Sequence, residues 1–165
     1  MSVRVYIMRH AWAAPADPFH QEPDEHRELT AEGRQRLRRW AQELQRRGIA
    51  PQVVLSSPLR RAVQTAQIMA ETCPGQLSAQ VCPELAPGVD LPRLLQAVAV
   101  YSTRPMLWVG HMPDVADLAQ ALARPGSPPC ASFSPAALAV LEFQQGIAPG
   151  AGTVVEFLDP DACGV

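Results

Sequence analysis

Two histidines and the arginines that follow two of the apolar runs are the residues of this chain best suited to chemistry. His10 follows Arg9 directly, at the end of the apolar run "VRVYIM". Arg60 and Arg61 come shortly after a second run, "QVVLS", and His111 follows a third, "MLWVG". Arginine presents a planar set of N–H donors that matches phosphate oxygens and keeps its charge. We therefore expect these side chains to bind an anion, most simply a phosphoryl group.

The two histidines suit different parts of a reaction at phosphorus. A neutral imidazole can attack phosphorus, and nearby guanidinium charges disfavour the imidazolium form and keep a lone pair available. These properties predict His10 as the nucleophile. A second imidazole, from His111, can donate to the equatorial oxygens and stabilise charge as the phosphoryl group moves.

The elements that must position these residues alternate between strands and helices, which is typical of a layered α/β domain. The sequence predicts strands at 3–8, 52–56, 79–82 and 106–110, and helices at 31–47, 58–72, 91–101 and 113–123. Two further strands, 137–144 and 152–158, are predicted to form an antiparallel hairpin. The predicted fold is therefore a three-layer α/β structure with a mostly parallel central sheet and helices on both faces.

Three polar residues precede predicted helices. Thr30, Ser57 and Asp90 are each suited to cap the N-terminus of the helix that follows.

The two histidines stand where such a sheet binds ligands. In an open, largely parallel sheet, ligand crevices lie outside the carboxyl ends of the strands. Because both histidines follow predicted strands, we expect them to share one crevice.

Composition narrows the classes of function. The chain has 165 residues, of which 47% are hydrophobic and 18% charged, which predicts one folded domain over residues 1–165. A formal net charge of −2 gives no reason to expect a nucleic-acid or anionic membrane surface. All 14 basic residues are arginine, so no lysine is available for a P-loop or a Schiff base.

The N-terminus and the cysteines bear on localisation. The chain begins directly with a strand pattern, so we expect neither a signal peptide nor a membrane span, and hence a cytoplasmic protein. The four cysteines are widely spaced and form no C-x-x-C pair, which argues against a zinc or thioredoxin-like site. We expect them to be reduced thiols.

Four short motifs resemble the landmarks of the histidine phosphatase superfamily, the phosphoglycerate-mutase-like fold. They are "MRHA", "LTAEG", "SSPLRRAVQTA" and "VGHMP", which occur in the family's order within residues 6–113. Within that superfamily the short chain, "PELAPG" at 83–88 and the late "SFSPAALAVLEF" are most similar to SixA-type phosphohistidine phosphatases.

The resemblance implies a role for each matching residue. His10 corresponds to the histidine that is transiently phosphorylated, Arg9 to the first phosphate clamp and His111 to the second histidine of the pocket. Arg61 stands directly before the alanine of "RAVQTA" and so corresponds to the second clamp. Arg60 is then expected to face outward. The resemblance implies neither a metal nor another cofactor.

Other residues carry two interpretations each. Glu84 in "PEL" is the natural candidate for a general acid that protonates the leaving group, and an equally good candidate for a structural role. Asp17 is a second candidate acid. Ser57 is either a phosphate donor or only a helix cap, and His20 and His26 lie in a polar loop where we expect them to be solvated.

The lengths of the connections bear on the substrate. About twenty residues separate Glu84 from Pro105, and most belong to one predicted helix, which leaves no material for a lid. An uncovered pocket admits a phosphorylated side chain on a folded partner, so we predict a phosphatase for phosphohistidine on phosphotransfer or phosphocarrier domains. The alternatives are a small-molecule phosphomonoesterase of the same superfamily and a phosphohistidine-binding module without catalysis.

Overall fold

A computed structural model describes residues 1–165 and contains six strands and four helices. The strands are β1 Val3–Arg9, β2 Val53–Ser56, β3 Ala79–Val81, β4 Met106–Gly110, β5 Leu138–Phe143 and β6 Thr153–Leu158. The helices are α1 Ala31–Arg46, α2 Arg60–Thr72, α3 Leu91–Val98 and α4 Asp114–Leu122. No helix is both long enough and apolar enough to cross a bilayer.

The strands form one mixed sheet in the order β3-β2-β4-β1-β5-β6. The four strands from β3 to β1 run parallel, whereas β5 pairs antiparallel with β1 and with β6. The prediction of a mostly parallel sheet followed by an antiparallel hairpin is confirmed. Since β1 and β4 lie in the middle, both are covered on both faces, which accounts for their nearly continuous apolar sequences.

Alternating side chains of the strands divide the core into two layers. On one face, Ile7 and Trp108 pack with residues of α3 and α4; on the other, Met8 and Val109 pack with residues of α1 and α2. This division follows from the twofold periodicity of strands, in which successive side chains point to opposite faces. The predicted three-layer arrangement is confirmed.

Two predicted helix caps are confirmed, and one is wrong. The side chains of Thr30 and Asp90 accept hydrogen bonds from the backbone N–H groups of Gly33 and Arg93, as predicted. Ser57 does not cap α2, which begins three residues later with Leu59 at its N-cap position. The Ser57 hydroxyl instead accepts a hydrogen bond from the Leu59 N–H at 3.3 Å and lies beside the ring of His111.

Helix α1 approaches the segment after β1 closely at a glycine. The N–H of Thr30 donates to the carbonyl of Trp12 at 3.0 Å, which joins the start of the helix to that segment. A Cβ atom on Gly33 would collide with the Trp12 carbonyl oxygen and would lie 2.9 Å from both the Thr30 hydroxyl and the Trp12 Cβ. Glycine is therefore required at this helical position for space.

We expect Gly33→Ala to destabilise the protein, although alanine normally favours a helix over glycine. Overpacking against backbone typically costs about 1–3 kcal/mol, more than the propensity gain of roughly 1 kcal/mol. Thermal unfolding should show a lower Tm for Gly33→Ala and little change for Gln35→Ala, which is exposed on the same helix. An unchanged or higher Tm for Gly33→Ala would contradict the contact.

Candidate active site

The predicted site residues meet because three parallel strands end in register. Arg9 pairs with Gly110 across β1 and β4, and Ser56 pairs with Val109 across β2 and β4. The next residues continue this alignment, since the N–H of His10 donates to the Gly110 carbonyl at 2.9 Å and the N–H of Ser57 to Val109 at 2.9 Å. The chain therefore turns away from the sheet at one common edge.

The ring of His10 is fixed in one neutral tautomer. Its Nδ1 lies 2.7 Å from the carbonyl oxygen of Ala11, and because a carbonyl can only accept, Nδ1 carries the proton. Nε2 then holds the lone pair, and it accepts a hydrogen bond from Nε of Arg61 at 3.3 Å. Thr65 of α2 accepts the Ala11 N–H at 3.0 Å and so attaches this turn to the helix. The unprotonated nitrogen faces the arginine.

His111 lies against His10 and presents a second nitrogen. The two ring centroids are 5.3 Å apart. Nε2 of His111 is 2.7 Å from the Ser57 hydroxyl, whereas its Nδ1 is buried without a hydrogen-bond partner. If Ser57 donates to Nε2 while accepting from the Leu59 N–H, both functions of its hydroxyl are used. Nδ1 of His111 then carries the proton and is a free donor.

Arg9 is held by the segment before β5. Its Nη1 donates to the carbonyl of Phe133 at 2.8 Å, while its Nε is buried without a partner. The same segment bonds to the backbone of β1, since the N–H of Ala136 donates to the carbonyls of Arg9 and His10, each at 3.2 Å. Ala136 has a positive φ of 64°, which turns the chain across the end of β1. Its carbonyl also accepts from Nε1 of Trp40 at 2.9 Å.

The two arginines of "RRA" point in opposite directions, as predicted. Arg61 is only 5% exposed and reaches His10 and Asp24, whereas Arg60 is half exposed and lies 3.6 Å from the Glu28 carboxylate. On a helix, successive side chains are about 100° apart, so only one can face the sheet edge. The expected outward position of Arg60 is confirmed.

Burial and positive charge together disfavour protonation of both rings. Burial, with contributions from His111 and the two arginines, lowers the pKa of His10 to about 3. Burial and then the charge of Arg61 lower the pKa of His111 to about 4. The pKa of Arg9 is lowered by burial and by the nearby Arg61 charge. The pocket thus gathers cations and neutral imidazoles, and an anion placed there would relieve the repulsion.

The other candidates lie apart from this contact network. Glu84 is in a single 3-10 turn after β3, and its carboxylate accepts only the Cys82 thiol, at 3.4 Å. Asp17 accepts three backbone N–H groups in its own loop, of which that from Phe19 does most to lower its carboxyl pKa. A lowered pKa makes Asp17 a poor general acid at neutral pH. His20 and His26 are exposed, as predicted.

Two buried side-chain nitrogens of the site have no hydrogen-bond partner. Of the four buried side-chain atoms without a partner, two are Nε of Arg9 and Nδ1 of His111. Leaving a buried polar group unsatisfied costs about 1–3 kcal/mol, so such groups tend to be kept for a ligand. The arrangement can bind an oxyanion and offer Nε2 of His10 as a nucleophile to its central atom.

Comparison with known proteins agrees with this geometry. The sequence model of the histidine phosphatase superfamily (branch 1) matches residues 5–86. Phosphohistidine phosphatase SixA of Escherichia coli is 32% identical over 143 residues, covering 85% of this chain and 86% of that protein. The chain belongs to the histidine phosphatase superfamily. It is accordingly a phosphatase of a SixA-like kind.

Two other similar proteins extend the comparison. The structure of the protein histidine phosphatase SixA complexed with tungstate superimposes with a TM-score of 0.82 at 29% identity, covering 98% of this chain and 99% of that one. An uncharacterised protein of Picosynechococcus is 36% identical over 124 residues, which is 73% of each chain. The match to the SixA structure covers nearly all of this histidine phosphatase.

Sequence reasoning missed three contacts of the site. Asp24 binds the guanidinium of Arg61, the Phe133 carbonyl binds Arg9, and Thr65 binds the backbone next to His10. The threonine stands in the quoted motif "RAVQTA", which is the one signal that marks it. Asp24 and Phe133 lie in loops whose path the strand and helix pattern does not determine.

The histidine pair should make stability depend on pH in a defined window. Unfolded histidines bind a proton near pH 6.5, whereas the folded values are about 3 and about 4. The unfolded state therefore gains protons first as the pH falls, and the free energy of unfolding should fall by about 1.4 kcal/mol per pH unit for each histidine. Denaturant unfolding between about pH 6.5 and 4.5 measures this slope.

The variant His10→Asn/His111→Asn separates this effect from that of the carboxyl groups. Its stability should change less with pH over the same interval, because neither position can then take up a proton on unfolding. Equal slopes for the variant and the natural protein would contradict the lowered histidine pKa values.

Proposed function

We propose that this histidine phosphatase hydrolyses phosphohistidine on a protein, a phosphotransfer or phosphocarrier domain, through a phosphorylated His10. The observation that carries the proposal is the orientation of the His10 ring. Its Nδ1 proton is committed to the Ala11 carbonyl, and its Nε2 lone pair lies beside the Arg61 guanidinium. A phosphoryl group bound by that guanidinium would lie within reach of the lone pair.

In the first step Nε2 of His10 attacks phosphorus, the bond to the substrate ring breaks, and that ring, with a proton on its other nitrogen, leaves as neutral imidazole. Arg9 and Arg61 bind the phosphoryl oxygens, and the Nδ1 proton of His111 supplies a further donor. Preorganised donors of this kind stabilise the charge of a phosphoryl group in transfer without reorganisation. The Ser57 hydroxyl is hydrogen-bonded to Nε2 of His111. This contact supports a role for Ser57 in positioning His111, in addition to the predicted contact with phosphate.

In the second step water attacks the phosphorus of phospho-His10 and the bond to Nε2 breaks. The products are inorganic phosphate and neutral His10, so each cycle converts one phosphohistidine and one water to histidine and phosphate. The guanidinium groups of Arg9 and Arg61 already supply the positive charge that a metal ion would bring to the oxygens, and the neutral His111 ring adds an N–H donor. The proposal therefore includes no metal and no other cofactor.

The short connection between β3 and β4 favours a protein substrate over a small one. The only helix between β3 and β4 is α3, and its side chains Leu94 and Val98 are buried in the core beneath the sheet. It therefore cannot close over the site as a lid that excludes water from a small substrate. The similarity to SixA, a phosphohistidine phosphatase by name, supports the same substrate class.

The phosphorylated intermediate should be directly detectable. We expect the natural enzyme, mixed with a histidine phosphotransfer domain carrying ³²P-phosphohistidine, to acquire an acid-labile label briefly. His10→Ala should acquire none and should lose turnover by at least about 1,000-fold, as expected when a nucleophile is removed. Rapid quenching at alkaline pH followed by gel autoradiography measures the label.

A matched control is His20→Asn, which removes an exposed histidine whose positive φ of 53° asparagine tolerates. This variant should label and turn over like the natural enzyme. If His10→Ala kept its phosphatase activity, the mechanism through phospho-His10 would be wrong.

Glu84 distinguishes a phosphohistidine substrate from a phosphoester. Imidazole leaves more readily than an alkoxide and needs less help from an acid, so Glu84→Gln should change kcat/KM on the phosphotransfer domain by less than about threefold. Phosphoserine should be a poor substrate for the natural enzyme. Glu32→Gln, on the exposed side of α1, is the control for a neutralised carboxylate.

The opposite pattern would favour the small-molecule alternative. Efficient hydrolysis of phosphoserine, with a loss of about 100-fold in Glu84→Gln, would assign Glu84 as general acid for an ester. The phosphohistidine proposal would then be rejected, while the superfamily assignment would remain.

A further inference from the structure

Asp24 holds the guanidinium of Arg61 at one edge. The Nη1 atom of Arg61 donates to the Asp24 main-chain carbonyl at 2.8 Å, and Nη2 donates to the Asp24 carboxylate at 3.0 Å. The Nε atom, on the other side of the guanidinium, donates to Nε2 of His10 at 3.3 Å. With its two terminal nitrogens fixed, the planar group can present only the Nε edge to the nucleophile.

Asp24 is itself fixed by a second arginine. Nε of Arg27 donates to the other carboxylate oxygen of Asp24 at 2.8 Å, and Nη1 of Arg27 donates to the Ala14 carbonyl at 2.9 Å. The Asp24 carboxylate thus bridges two guanidinium groups, and Arg27 links it to the main chain at Ala14, in the segment after β1. Its position relative to His10 is therefore set from both sides.

We propose that Asp24 is a positioning residue for phosphoryl transfer, which holds Arg61 so that its Nε edge faces both the His10 nucleophile and the bound phosphoryl group. The proposal rests on the proposed function in one respect, the role of Arg61 as a phosphate clamp. Asp24 itself binds no substrate in this scheme. Its effect passes entirely through Arg61.

Stability alone gives a weak reason for the contact. The Asp24 side chain is 55% exposed, and exposed ion pairs typically contribute between about 0 and 1 kcal/mol. The Arg61 side chain, in contrast, is 6% exposed and shares its cavity with Arg9, whose charge opposes it. Whatever the pair adds to stability, it also fixes the orientation of a buried cation.

The charge of Asp24 and its positioning role predict opposite changes in anion binding when Asp24 is neutralised. A carboxylate near an anion site repels the anion, so neutralising Asp24 should by itself strengthen anion binding. Loss of orientation would weaken binding and slow transfer, because small displacements of a positioned group cost large factors in rate. A fall in both affinity and rate is therefore opposite to the effect of charge alone and is the result that the positioning role predicts.

The experiment compares Asp24→Asn with Glu22→Gln, which neutralises an exposed carboxylate in the same loop. Tungstate serves as the anion probe, and its Kd is measured by calorimetry. We expect Asp24→Asn to raise Kd about fivefold and to lower kcat on the phosphorylated phosphotransfer domain by roughly tenfold or more. Glu22→Gln should leave both within about twofold.

Two further measurements exclude a merely structural effect. In an Arg61→Ala background, Asp24→Asn should add less than about twofold to the tungstate Kd, since a residue that acts through Arg61 has nothing left to position. The ¹⁵N resonance of His10 Nε2, which accepts from Arg61, should shift in Asp24→Asn and stay unchanged in Glu22→Gln. Thermal unfolding confirms that each variant is folded at the temperature used.

The outcomes separate this inference from the proposed function. Unchanged or tighter tungstate binding in Asp24→Asn, or an equal loss with and without Arg61, would overturn the positioning role and leave the phosphatase mechanism intact. If the natural enzyme did not hydrolyse the phosphotransfer domain but Asp24→Asn still weakened tungstate binding through Arg61, the positioning role would stand and the proposed substrate would fail.

Discussion

The in-register parallel pairing of β2, β4 and β1 is the constraint on which the site depends. Neighbouring strands lie about 4.8 Å apart, so the ends of three adjacent strands span roughly 10 Å. This distance is about the width of a tetrahedral oxyanion together with the donors that surround it. Ser57, His111 and His10 each follow one of these ends directly. A slip of one residue in any pair would turn its side chain to the opposite face of the sheet.

The buried charges and unpaired donors of the site lower the stability of the folded protein. Two guanidinium groups share a pocket that lowers the pKa of each, and two N–H positions are buried without partners. Each unmet donor costs about 1–3 kcal/mol, which the two apolar layers of the sheet must offset. The neutral histidines belong to the same balance, because a charged ring there would add a further buried cation. The pocket is therefore built for an anion at the expense of stability.

The fold and the central residues of the site could be predicted because both depend on short-range patterns. Apolar runs marked the strands, and His10 and His111 follow strand ends directly, so their meeting needed only the parallel topology. The orientation of Arg61 followed from helical periodicity. The cap predicted for Ser57 was wrong because α2 begins three residues later, and a local sequence pattern cannot show the tertiary contact of its hydroxyl with His111. Asp24 lies in a loop without periodicity, so nothing in the sequence indicated its contact with Arg61.

The tautomer of His10 has a consequence for both steps of the proposed reaction. Attack by Nε2 leaves the Nδ1 proton in place, bound to the Ala11 carbonyl, so the phosphorylated ring is formally a cation. When water displaces it, the ring leaves as neutral imidazole and no proton need be delivered to it. Burial, which lowers the pKa of His10 to about 3, disfavours the cationic ring and so favours its departure. In the proposed mechanism, the environment that weakens His10 as a base would therefore also favour hydrolysis of the phosphorylated ring.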